Sequence, residues 1–157
     1  MYIAIAIAAA LLGADRVLKY LSRTGKLRLE SKYLRLTHLE NRGFFLGLGQ
    51  KHEKLLRWLP MGVWLLAAVC LLPELGKRIF SAQLGILLVL LGGLSNQFDR
   101  LRRGSVTDYL QFPHRRAKKR ALVWNLADFM LIGGVVLTVP VASVISALVY
   151  TREKKKA

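Results

Sequence analysis

Four apolar runs constrain this chain more than any other feature: YIAIAIAAALLGADRVLKYL at 2–21, LLRWLPMGVWLLAAVCLLP at 55–73, IFSAQLGILLVLLGGLSNQF at 79–98 and ALVWNLADFMLIGGVVLTVPVASVISALVY at 121–150. Each is close to or above the roughly 20 residues that a helix needs to cross a hydrocarbon layer of about 30 Å. The run 84–94 has no polar face at the helical period, so a soluble bundle does not explain it. With 54% hydrophobic residues and a mean hydropathy of +0.34, 157 residues read as a single membrane domain, 1–157, with four transmembrane helices. The first run lacks a basic leader, and Arg16 and Lys19 follow its apolar stretch; it reads as a retained helix, not a cleaved signal.

The segments between the helices carry their own information. Within 22–54, KLRLE and YLRLT alternate apolar and polar residues as half-exposed strands do, and SVTDYLQF at 105–112 is β-branched and aromatic. A small sheet at the membrane surface is the expectation, contributed by the long loops 22–54 and 99–120. The net charge is +16, concentrated between and after the apolar runs, as in RRAKKR at 115–120 and REKKK at 152–156. No pattern of base-stacking aromatics accompanies it, so membrane lipids, not nucleic acid, are the expected partner. Cys70, the one cysteine, falls mid-run, where packing is its expected role.

Against this background the polar residues stand out. The chain has four Asp (15, 99, 108, 128) and three Asn (41, 96, 125), each in an apolar run or at its junction with a loop. With four alternating spans, all seven come to the same face of the membrane. An ionisable group in hydrocarbon costs at least about 2.5 to 3.5 kcal/mol, which makes such a cluster a candidate functional site. Asn125 and Asp128 share a helix face at i and i+3, as do Asn96 and Asp99 if the third helix extends that far. Asp128 at the start of the fourth helix lies near Asp108, which arrives from the third. Two close carboxylates in a dry site hold one proton between them, so that one acts as base on a water while the other donates a proton. The three His (38, 52, 114) have no metal-ligand spacing, and no Ser stands in a G-x-S-x-G context; no metal or cofactor is expected.

These residues carry a family resemblance. GADRVLKYL (13–21), NRGFFLG (41–47), GGLSNQFDRLRRGSVTDYLQF (92–112) and WNLADFMLIGG (124–134) resemble, in order, the motifs of bacterial lipoprotein signal peptidase, signal peptidase II. The resemblance implies an all-α integral membrane aspartic endopeptidase with four transmembrane helices and a small extracytoplasmic sheet. It implies removal of prolipoprotein signal peptides before the diacylglyceryl-modified cysteine, a catalytic dyad at Asp108 and Asp128, and supporting or substrate-binding roles for Asp15, Asn41, Gly43, Asn96, Asp99, Arg100 and Asn125. It also implies a monomer in the bacterial cytoplasmic membrane with both termini inside, whereas the Lys and Arg count alone would put the long loops inside.

The chain departs from the family pattern where Arg42, Phe44 and Phe45 surround Gly43, where Ser95 precedes Asn96, and at RRAKKR. These departures bear on substrate choice and admit a specialised paralogue. Other readings are an idle relative that binds lipoprotein or peptide, and a small transporter using intramembrane acids; a transporter would spread its acids through the bilayer's depth. Bland roles are also expected: Asp15 with Lys19 as an intrahelical pair, Asp99 and Arg100 as ion-pair residues bracing the third helix, and Gly92, Gly93, Gly133 and Gly134 as sites of close helix contact.

Overall fold

The computed structural model describes residues 1–42, 53–112, 122–138 and 154, with side chains omitted for 53–57. Four helices carry the fold: α1 (Tyr2–Arg23), α2 (Glu53–Leu71, continued by a 3-10 segment Leu72–Lys77), α3 (Phe80–Arg103) and α4 (Leu126–Thr138). Four short strands, β1 (Leu29–Glu30), β2 (Arg35–Asn41), β3 (Val106–Gln111) and β4 (Val123–Trp124), form one antiparallel sheet in the order β1-β2-β3-β4.

α3 is the central helix, touching α1, α2 and α4. Its approach to α4 depends on missing side chains. A Cβ on Gly85 would lie 2.7 Å from the Gly134 carbonyl oxygen, one on Gly134 would lie 2.7 Å from the Gly85 oxygen, and one on Gly92 would lie 2.8 Å from the Ala127 oxygen. Helices pack this closely in lipid through small residues because hydrocarbon gives apolar side chains little reason to cluster. Gly93 faces the Trp64 ring instead, and Gly133 has open space around it, so the expectation of close contact fails for Gly133.

α1 buries Ala4, Ala8, Asp15, Lys19 and Ser22, a stripe at helical spacing that turns from apolar to charged along its length. The outer surfaces stay apolar: Ile3, Val63, Leu66, Val69 and Val136 are each at least 60% exposed, as suits helices facing hydrocarbon. Cys70 joins this exposed surface, so it does not pack inside as its mid-run position suggested.

Two helices are long and apolar enough to cross a membrane by length and composition, Trp58–Lys77 and Phe80–Arg103. α1 is as long as these but contains Asp15, Arg16 and Lys19. α4 is described only to Thr138, so the rest of the run to 150 lies outside the described residues, as do Gly43, Phe44, Phe45 and RRAKKR.

The element boundaries differ from the sequence expectation in two places. α3 continues to Arg103, which makes residues 99–103 helical, and it stops at Gly104, whose φ of 74° is left-handed and whose N–H reaches the Arg100 oxygen at 2.9 Å. Residues 123–124 pair with β3, so α4 starts five residues later than its apolar run. A short apolar stretch such as LVW suits a strand as well as a helix, and here the partner strand decides.

Candidate active site

The first turn of α4 organises the site. Helix N-termini leave their first N–H groups without intrahelical partners, and side chains from three directions meet these. Leu126 N–H donates to the Tyr109 hydroxyl at 3.1 Å, Ala127 N–H to Asp15 Oδ1 at 3.2 Å, and Asp128 N–H to Asn125 Oδ1 at 2.9 Å. Asn125 N–H in turn donates to Asp128 Oδ2 at 3.1 Å. Asn125 and Asp128 thus form a reciprocal capping box, the physical reason for their three-residue spacing.

The same asparagine reaches the sheet. Asn125 Nδ2 donates to Asp108 Oδ1 at 2.6 Å, and Asn41 Nδ2, from the end of β2, donates to Asp108 Oδ2 at 3.1 Å. The β2–β3 register sets Leu39 opposite Asp108 and Asn41 opposite Val106, which leaves Asn41 diagonal to the carboxylate and within reach. Asp128 Oδ1 accepts from Asn96 Nδ2 at 2.9 Å. Each carboxylate oxygen of Asp108 and Asp128 therefore accepts a hydrogen bond, and Asn125 binds to both residues.

Behind Asn96 lies a fully buried lysine. Lys19 Nζ donates to Asn96 Oδ1 at 2.9 Å and pairs with Asp15 at 3.0 Å and Asp99 at 3.1 Å. A lysine can only donate, so it fixes the Asn96 amide with the oxygen toward itself and the NH2 toward Asp128. Asp15 also accepts from Ser95 Oγ at 2.5 Å and from the Tyr109 hydroxyl at 3.0 Å. Burial pushes the Tyr109 phenol above its usual range, and the neighbouring Asp15 charge adds to this, so it remains a donor. Asp99 Oδ1 takes Arg16 and Arg103, each at 2.9 Å.

The seven Asp and Asn residues thus belong to one connected network that runs from Asn41 through Asp108, Asn125, Asp128 and Asn96 to Lys19, where Asp15 and Asp99 join. Of the other expected site residues, Gly43 lies outside the described residues. Asp99 does brace α3, but through Arg16, Lys19 and Arg103 rather than Arg100. Arg100 lines a cavity and feels the charges of Asp128 and Asp108, with no ion pair to either acid among the described residues.

That cavity, of about 450 Å³, is lined by Asp108, Asp128, Asn41, Asn96 and Arg100 at its polar end and by Leu59, Val63, Trp64, Val89 and Leu131 along its walls. Asp108 is 3% exposed. Burial, with the Asp128 charge beside it, raises its carboxyl to about 7 despite the opposing hydrogen bonds from Asn125 and Asn41. Near neutral pH the site can therefore hold one proton on a pair of acids, as general acid-base chemistry on a water requires. Sequence reasoning missed Tyr109 and Gln97, and it gave Lys19 only an intrahelical partner. Within α1 only Asp15, four residues away, pointed to a partner for Lys19.

The model of the signal peptidase (SPase) II family matches residues 7–144. The chain is 35% identical to the lipoprotein signal peptidase of Clostridioides difficile (strain 630) over 142 residues, covering 82% of this chain and 87% of that protein. It is 30% identical to the lipoprotein signal peptidase of Caldanaerobacter subterraneus subsp. tengcongensis, covering 76% and 78%. The fold is similar to a solved bacterial membrane enzyme with a TM-score of 0.72 at 23% identity, covering 99% of this chain and 92% of that one.

Proposed function

The chain belongs to the signal peptidase II family, and on that premise we propose that Asp108 and Asp128 are its catalytic pair. The family function is removal of signal peptides from prolipoproteins by an aspartic protease, and this chain is such an enzyme. The observation that carries the residue assignment is the Asn125 bridge, which ties Asp108 of the sheet to Asp128 of α4 at the polar end of an apolar cavity.

The chemistry follows from the two environments. Asp128 sits in the first turn of α4, where it accepts hydrogen bonds from the Asn125 N–H and the Asn96 amide and serves as the base of the pair. Asp108, raised to about 7, holds the shared proton. Asp128 takes a proton from a water, the water oxygen attacks the scissile carbonyl, and Asp108 gives its proton to the carbonyl oxygen, forming a neutral diol. In collapse, Asp128 returns its proton to the leaving nitrogen while Asp108 recovers one from a diol hydroxyl. The C–N bond breaks, and each acid regains its starting state.

The apolar walls suit the hydrophobic segment of a signal peptide, and the polar end suits the bond before the lipid-modified cysteine. Asp15, Asn96, Asp99 and Asn125 support the pair, while Asn41, Gly43 and Arg100 are assigned to substrate binding or support. Four helices crossing the bacterial cytoplasmic membrane, both termini inside, put the sheet and the acids at its outer surface. Membrane lipids surround a monomer.

Purified protein in detergent is expected to cleave a diacylglyceryl-modified precursor, and no cleavage of that precursor overturns the reading. For orientation, a Cys placed in 104–112 of a Cys70→Ala background is expected to react with an impermeant thiol reagent in intact cells. Labelling confined to a Cys in the 152–157 tail reverses the topology.

A further inference from the structure

Gln97 follows Asn96 on α3, is 3% exposed and lines the same cavity as both carboxylates. Its Oε1 has no hydrogen-bond partner, the one such buried side-chain atom among the described residues. The contrast with its surroundings is sharp, because the neighbouring Asn, Asp and Lys groups all have partners. An unpaired buried carbonyl costs about 1 to 3 kcal/mol, and Leu or Met would fill similar space without that cost. Among the described residues no donor reaches this oxygen, so a bound ligand is the group that would make the amide favourable there.

The cavity indicates what that donor is. Gly93, Asn96, Gln97 and Arg100 fall at i, i+3, i+4 and i+7 of α3 and share its cavity face, opposite the apolar residues Leu59, Val63 and Trp64 of α2. A peptide bound against such a wall loses water from its main-chain N–H groups and gains few acceptors in exchange. A side-chain amide among the residues that line the cavity with both acids can turn to meet one of these N–H groups. Every residue but proline supplies this donor, so such a contact fixes register along the groove without reading side chains.

We infer that Gln97 is a positioning residue that accepts a main-chain N–H of the bound signal peptide close to the scissile bond. The inference rests on the peptidase reading above. It is tested by kinetics of the wild type, Gln97→Leu and Gln97→Met on a lipid-modified precursor peptide and on a series in which one amide at a time near the cleavage site is replaced by an ester, which lacks the N–H. Both variants are expected to lose about tenfold in kcat/KM, the equivalent of one ordinary hydrogen bond, with thermal stability equal to or above the wild type. One ester position is expected to cost the wild type about tenfold and to cost the variants nothing further. Wild-type cleavage rates in both variants, or the same ester penalties in all three proteins, overturn the inference alone. A wild type that cleaves no precursor overturns the peptidase reading and this inference with it.

Discussion

Asn125 donates its side-chain amide to Asp108 across 2.6 Å, although 17 positions separate them in sequence. The residue that starts α4 is therefore also the one that locates the sheet's acid relative to the helix's acid. Structure and chemistry meet in one side chain.

Separating those two duties is the first expectation. Asn125→Ala removes both and should lose about 1 kcal/mol of stability, typical of a lost helix cap, together with most activity. Asn125→Ser restores a cap but is too short to reach Asp108, so unfolding temperature should recover while kcat stays low. Recovery of both by Ser would show that Asn125 acts through stability alone.

The acids themselves give the second. Asp108→Asn and Asp128→Asn should each lower kcat by about 10³-fold or more, since acid-base catalysis by a positioned group contributes roughly 10² to 10⁴ and neither residue has a substitute. Unfolding temperatures near the wild type accompany this loss. Residual cleavage within tenfold of wild type by either variant contradicts the pair.

The pH dependence has a definite sign. Folded Asp108 titrates at about 7, above the ordinary carboxyl value near 3.9, so the folded state keeps a proton that the unfolded chain releases. Its contribution to stability is complete at acid pH and disappears as the pH rises through about 4 to 7. Wild-type unfolding temperature should fall between pH 5 and pH 8 while that of Asp108→Asn stays flatter, and kcat/KM should decline above about pH 7 as the pair loses its shared proton. Parallel stability curves for the two proteins would exclude Asp108 as the titrating group.

Lys19 supplies the fourth. Its removal leaves Asp15 and Asp99 buried without their shared cation, a loss that typically costs 3 to 5 kcal/mol. Lys19→Met should fall sharply in thermal stability in detergent, and Lys19→Arg should not restore it, because a planar guanidinium does not fit the position of a compact ammonium. A Met variant as stable as the wild type would show that the buried ion pairs contribute little.

The sequence made the assembly of the polar residues legible but not its wiring. Apolar run lengths and alternating spans were enough to bring Asp15, Asn41, Asn96, Asp99, Asp108, Asn125 and Asp128 to one place, while alternation in KLRLE and YLRLT and the β-branched and aromatic residues of SVTDYLQF located three strands near their observed positions. Tertiary partners decided the rest. Nothing in α1 tells whether Lys19 turns inward or snorkels outward until Asp99 of α3 lies beside it. Val123 and Trp124 are apolar enough for a helix, and only β3 makes them a strand. Gln97 gave no signal because an unsatisfied oxygen is defined by what surrounds it.

The first turn of α4 also bears on timing. Its three leading N–H groups are met by Tyr109, Asp15 and Asn125, and α4 is the last of the four helices to leave the ribosome. Until it docks, Asp108 stands in a sheet without Asn125 or Asp128 beside it. On the proposed assignment, a chain whose α4 has not docked lacks one acid of the pair and the bridge that orients the other. The act that arms it is the same insertion that finishes the fold.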